Sequence, residues 1–170
     1  MKNILFIALG LWFIGLTAQA EMPLVDFGPP QPLQILRGDN IVSLSVEFAN
    51  SPDKRSQGLM FRKEMADDSG MLFNFENKQV INMWMKNTLI PLDMIFLNSS
   101  GKIVTIVRNT KPESLRRISS GVPVSAVLEV NAGLSQKWQL QRGDQILHAM
   151  FNNKPQTTDA VPSISGGNNN

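Results

Sequence analysis

Between Ile41 and Phe48, Val42, Leu44, Val46 and Phe48 alternate with Ser43, Ser45 and Glu47. That period of two predicts a strand with one face buried. Ser51-Pro52-Asp53 then supplies an N-cap and a proline at the first helical position, and Gly58 closes a helix of one or two turns. After the turn-prone Asp67-Asp68-Ser69-Gly70, Met71 to Phe75 reads as a strand, followed by Val80 to Met85 and Leu92 to Leu97. Asn98-Ser99-Ser100-Gly101 reads as a hairpin turn into the strand Lys102 to Arg108. Pro112 to Pro123 reads as loop, and Val124 to Val130 as a strand. Asn131 to Trp138 reads as a short helix with Asn131 as its cap. Arg142-Gly143-Asp144 is a turn, and Gln145 to Phe151 the final strand. The pattern predicts a mainly β fold, a compact β-sandwich or squat barrel of seven or more short strands with one or two short helices.

The two ends follow other patterns. Lys2, the uncharged apolar run Ile4 to Leu16 and the small-x-small Ala18-Gln19-Ala20 read as a secretory signal peptide over residues 1–20. The run is shorter than the ~20 apolar residues of a spanning helix, so no membrane span is expected after cleavage. Pro23, Pro29, Pro30 and Pro32 mark residues 21–32 as a lead segment that can dock through Leu24, Val25 and Phe27. Residues 152–170 are almost wholly polar and predict a disordered tail. The folded domain is expected over residues 33–151, a size typical of one domain that folds without staples. A periplasmic or secreted, monomer-sized bacterial protein is the expectation.

Composition removes several chemistries. There is no Cys, so disulfides, thiolate nucleophiles, Fe–S clusters, Zn–Cys sites and a lipid-bearing Cys are all excluded. Lys and Arg total 16 against 14 Asp and Glu, and cleavage would remove Lys2 but no acid. So nearly neutral a chain is not expected to bind nucleic acid through its phosphates. No cofactor is implied.

Five ordered blocks resemble one known family. They are Gly58-Leu59-Met60-Phe61-Arg62, Gly70-Met71-Leu72-Phe73, Trp84-Met85-Lys86-Asn87-Thr88 with Ile90-Pro91-Leu92-Asp93, Leu128-Glu129-Val130-Asn131-Ala132-Gly133, and Gly143-Asp144. Over roughly Gly38 to Phe151 the chain is similar to the domain-of-unknown-function family 192 (DUF192). The resemblance implies a compact, mainly β, sandwich-like fold, often behind an export signal, and no activity. Met83 and His148 fall outside the family's pattern.

Candidate chemistry centres on Asp93, a carboxylate inside the otherwise apolar Leu92 to Leu97. A buried charge is costly without partners, and Lys86, Arg62, Asn87 and Thr88 are the candidates to supply them. Glu129, between Leu128 and Val130, poses the same question on another strand. In one reading Lys86 and Arg62 bind an anionic or polyol group while Asp93 and Glu129 accept hydrogen bonds, with Trp84, Asn87 and Thr88 around them. In the other, the two carboxylates are satisfied by backbone amides and a buried ion pair. On an extended chain Trp84 and Lys86 share one face, and Met83, Met85 and Asn87 the other.

The leading expectation is a non-catalytic protein that binds a small polar or anionic ligand, or an envelope partner. Its binding groups would be Arg62, Trp84, Lys86, Asn87, Thr88, Asp93 and Glu129. Two alternatives stay open. Asp93 and Glu129 could act as a hydrolase pair on envelope carbohydrate, or the Met-rich stretch from Met60 to Met94 could carry Cu(I). A serine triad would have to use His148, the single His, which stands in no motif. Lys111, Arg116 and Arg117, with Arg108, form the one basic cluster.

Overall fold

The computed structural model describes residues 25–155. The predicted signal peptide and nearly all of the polar tail lie outside the described residues. Among the described residues seven strands form one mixed sheet: β1 (Gln31–Arg37), β2 (Asn40–Ala49), β3 (Ser69–Met83), β4 (Leu92–Leu97), β5 (Ile103–Val107), β6 (Ile118–Asn131) and β7 (Gln145–Leu147). The helices are α1 (Pro52–Gln57) and α2 (Leu134–Lys137), followed by a single 3₁₀ turn at Ala149–Phe151. The order across the sheet is β5-β4-β6-β3-β2-β1-β7, curled into a half-barrel. Only β2 and β3 run parallel, since α1 and its flanking segments carry the chain across the sheet between them. The mainly β expectation with short helices therefore holds. No helix among the described residues is long and apolar enough to cross a membrane.

Each face of the curl carries its own core. Leu72, Ile95, Leu97, Leu128 and Val130 pack on one side with Leu134 of α2 and Ile146 of β7. Met71, Phe73, Met94, Phe96 and Val127 pack on the other with Phe27, Leu59, Met85 and Ile90. Strand β4 lies between the two, so all six of its residues are buried. That explains its unbroken apolar run in place of an alternation.

The local chemistry matches its sequence cues at several places. Ser51 Oγ accepts from Lys54 N at 3.3 Å, Pro52 opens α1, and Gly58 caps its end. At the hairpin, Asn98 Oδ1 accepts from Ser100 N (3.0 Å) and Lys102 N (2.9 Å). Gly101 there has φ +78, and a Cβ would lie 2.6 Å from the Ile146 carbonyl oxygen, so glycine is required twice over. In the lead segment, Phe27 is buried, Val25 N donates to Gln57 Oε1 (2.8 Å), and Lys54 Nζ donates to Phe27 O (3.2 Å).

Other elements differ from the expectation. The strands expected at Met71–Phe75 and Val80–Met85 are one strand, β3, whose pairing with β6 shifts register around Asn74/Gln79 and Val80/Asn82. Ile118 to Pro123, expected as loop, is the start of β6 and pairs with the end of β3. Strand β1 begins at Gln31, inside the proline-rich lead. Pro32 is tolerated there because β7 pairs only with Gln34 to Leu36, leaving that side of Pro32 without a ladder partner. Helix α2 starts at Leu134 with Gly133 as its cap position, while Asn131 still belongs to β6. The last strand stops at Leu147, and Asn153 folds back so that its Oδ1 accepts from His148 N (2.9 Å).

Candidate functional site

Register decides what the two carboxylates can do. Across β4 and β6, Asp93 lies opposite Val130, and Met94 lies opposite Glu129. Residues directly opposite share a face and successive residues alternate, so Asp93 and Glu129 point to opposite sides of the sheet. They cannot act together on one bond, which removes the paired-carboxylate hydrolase.

Asp93 is fully buried and fully engaged. Its Oδ1 accepts from Asn109 N (2.9 Å), and its Oδ2 accepts from Gly133 N (3.1 Å), Ser135 N (3.0 Å) and Ser135 Oγ (2.7 Å). The partners are amides and a hydroxyl rather than Lys86, Arg62, Asn87 or Thr88. The carboxylate caps the start of α2 and ties it to the turn after β5, a structural role. Arg62 is committed elsewhere too. Its guanidinium makes a two-pronged pair with Glu47, the Nη2–Oε2 arm at 2.6 Å, and lies 5.9 Å from the Phe27 ring centroid.

Glu129 has the opposite environment. On β6 it sits between Met71 of β3 and Met94 of β4, both fully buried and neither a donor. It is 4% exposed, and its side chain makes no hydrogen bond or ion pair with any described residue. Burial raises its pKa from 4.5 to about 8, so at neutral pH it is mainly a carboxylic acid that both donates and accepts. The strands approach closely here: a Cβ on Gly70 would stand 2.7 Å from the Glu129 carbonyl oxygen.

Above Glu129 opens a cleft of about 310 Å³. One wall comes from α1 and the residues that follow it, with Arg55, Leu59 and Met60. The other comes from the end of β3 and the turn beyond, with Asn82, Met83, Trp84, Lys86 and Thr88. The turn is closed by Thr88 N to Met85 O (3.1 Å), with Asn87 at φ +55, a conformation asparagine tolerates. Phe61 N donates to Asn87 O (2.8 Å) and Met85 N to Ser114 O (3.0 Å), which tie the turn to its neighbours. Met85 points inward and is fully buried, while Trp84 and Lys86 face out. Trp84 is 58% exposed, and the Lys86 ammonium has no partner among the described residues.

The cleft thus joins Trp84, Lys86, Thr88 and Glu129, with Asn87 holding its turn, and leaves out Arg62 and Asp93. It also holds Arg55 and Asn82, which the sequence reading missed, and Met60, which that reading weighed only as part of a Cu(I)-carrying stretch. Arg55 is positioned by Asn74 O (2.8 Å), by Glu76 (3.8 Å) and by the Phe75 ring (5.7 Å to its centroid). No periodicity marks it out, since α1 buries no residue.

The remaining candidates sit apart. Met71, Met85 and Met94 are core residues, and the Met85 sulfur accepts from Thr110 Oγ1 (3.2 Å). His148 is buried, its Nδ1 accepting from Met150 N (3.2 Å) and its ring 5.3 Å from that of Phe48. Burial lowers its pKa. Arg108 leaves the basic cluster, donating to Ser135 Oγ (3.0 Å) and Leu140 O (2.9 Å).

The comparisons with known proteins bear on the fold and the family. A protein of Sinorhizobium meliloti 1021 whose description proposes a transcription regulator has a crystal structure that superposes with TM-score 0.72 at 40% identity. The match covers 75% of this chain and 99% of that one. A protein of unknown function from Novosphingobium aromaticivorans DSM 12444 superposes with TM-score 0.68 at 30% identity, over 70% of this chain and 85% of that one. No curated protein matches. The family model DUF192, described as uncharacterised, matches residues 34–148, and the chain belongs to that family.

Proposed function

We propose that this is an exported, non-catalytic binding protein that holds a small polar ligand in the cleft over Glu129. One observation carries the reading: a carboxyl buried at the base of an open cleft with no partner among the described residues. Burying such a group unpaired costs about 1–3 kcal/mol, a cost that a ligand offering a donor or acceptor offsets. The unpaired Lys86 and the exposed Trp84 at the rim support the same reading. Export rests on the predicted signal peptide, and a mature N-terminus at Glu21 in a periplasmic fraction would establish it. The regulator role proposed for the Sinorhizobium protein belongs to that protein. The near balance of 16 basic and 14 acidic residues gives little support here to phosphate-tracking DNA contact.

A thermal-shift panel of sugars, small acids, amines and metal ions tests the binding role. The expected result is a rise in melting temperature with one ligand class in the wild type, absent in Glu129→Leu. If no class shifts the wild type, the reading fails.

A further inference from the structure

Three features of the cleft restrict what can occupy it, taking the binding role above as given. The first is charge. Among the described residues, Arg55 and Lys86 are the cationic side chains lining it and Glu129 is its only acid. With that acid mainly protonated at neutral pH, the lining is net positive and repels ammonium ligands. Arg55 is already engaged with Asn74 O and Glu76, so among the described residues Lys86 is the cation free to meet an anion.

The second feature is the walls. Leu59, Met60, Phe73 and Met83 are apolar, and Trp84 presents an exposed ring at the rim. A bare inorganic anion would leave the exposed Trp84 ring without a partner. A ligand with a C–H face satisfies it by packing on the indole.

The third is the base, where a carboxylic acid donates one hydrogen bond and accepts others. Neighbouring hydroxyls of a ring offer that pairing of acceptor and donor. The volume of about 310 Å³ lies at the small end of ligand pockets, ~300–1,000 Å³.

We propose that the cleft binds an acidic saccharide of the hexuronic-acid type, its carboxylate on Lys86, its ring against Trp84 and its hydroxyls on Glu129. The match between a charged rim, an aromatic platform and a neutral two-way hydrogen-bonding base carries the assignment.

Calorimetric titration of the full mature chain at neutral pH tests it, with glucuronate, glucose, glucosamine, benzoate and inorganic phosphate as probes. Glucuronate is expected to bind with a Kd of about 1 mM or tighter, and glucose about tenfold more weakly. Lys86→Ala removes that preference and Trp84→Ala abolishes binding. Both side chains are exposed, so both variants fold. Glu129→Gln, which keeps a donor and an acceptor, retains binding within about threefold, and Glu129→Leu loses it. No heat with glucuronate overturns the proposal. So does benzoate or phosphate binding as tightly as glucuronate, or preferred binding of glucosamine that Glu129→Gln abolishes. In the latter cases the cleft remains a binding site and only the saccharide class fails. If no probe class binds, and Glu129→Leu merely stabilises the fold, the binding role fails as well.

Discussion

Replacing Glu129 by glutamine removes one titration from the folding equilibrium and leaves the side chain's shape nearly unchanged. In the folded chain the carboxyl keeps its proton until about pH 8, and in the unfolded chain it loses it near 4.5. Between those values folding takes up a proton, so stability falls as pH rises. The loss is about 1.4 kcal/mol per pH unit and about 5 kcal/mol over the whole window, with no further loss above it. Against a total stability of about 5–15 kcal/mol, that is a large fraction. Urea unfolding of wild type and Glu129→Gln, read by linear extrapolation from about pH 5 to about pH 9, isolates the effect. The difference between the two curves should widen at that slope as pH rises and level off near pH 8. His148 acts in the opposite direction below its ordinary 6.5, but it does so in both chains and cancels. Parallel curves, agreeing within about 0.5 kcal/mol across the range, would mean that Glu129 is ionised and satisfied when folded. The picture of an empty acid at the cleft base would then be wrong.

Other outcomes follow from the same structure. Asp93→Ala strands three backbone amides and the Ser135 hydroxyl, and should lose about 3 kcal/mol in urea unfolding while glucuronate binding stays unchanged. Arg62→Ala breaks a partly buried pair with Glu47 and should lose about 1 kcal/mol, with Arg62→Ala/Glu47→Ala recovering part of it in a double-mutant cycle. Gly70→Ala forces a methyl against the Glu129 carbonyl oxygen and should lose about 2 kcal/mol or more, seen as a lowered melting temperature. His148 is held neutral by burial, so stability should drop as pH falls through 6.5. His148→Gln should flatten that limb of the stability profile.

Most of the fold was legible because its cues are local. The alternation from Val42 to Phe48, the Ser51-Pro52 helix start and the Asn98–Gly101 turn each act over a few residues. Ile118 to Pro123 was not, since Ser119, Ser120, Gly121 and Pro123 carry the composition of a turn. There Ser120 Oγ accepts from Ile81 N (3.0 Å) in place of a regular ladder bond, a partner 39 residues away. The site divided along the same line. That Asp93 must be buried and satisfied followed from its apolar neighbours. That its partners are Asn109 and the start of α2 depends on contacts 16 and 42 residues away. Whether Asp93 and Glu129 share a face hinges on the parity of one strand register, which neither strand's composition encodes. Arg55 enters the cleft only because α1 packs across the sheet beside β3.

Glu129 is anchored on β6, which is hydrogen-bonded to β4 on one side and β3 on the other. The amides around it should therefore exchange with deuterium only when the whole sheet opens. The rim turn at Trp84 to Thr88 is tied down by a handful of loop bonds, and its amides should exchange far sooner. A bound molecule would slow the rim and leave the base untouched. The cleft is then a fixed floor under an adjustable edge, and exchange at the edge reports occupancy without any need to know the occupant.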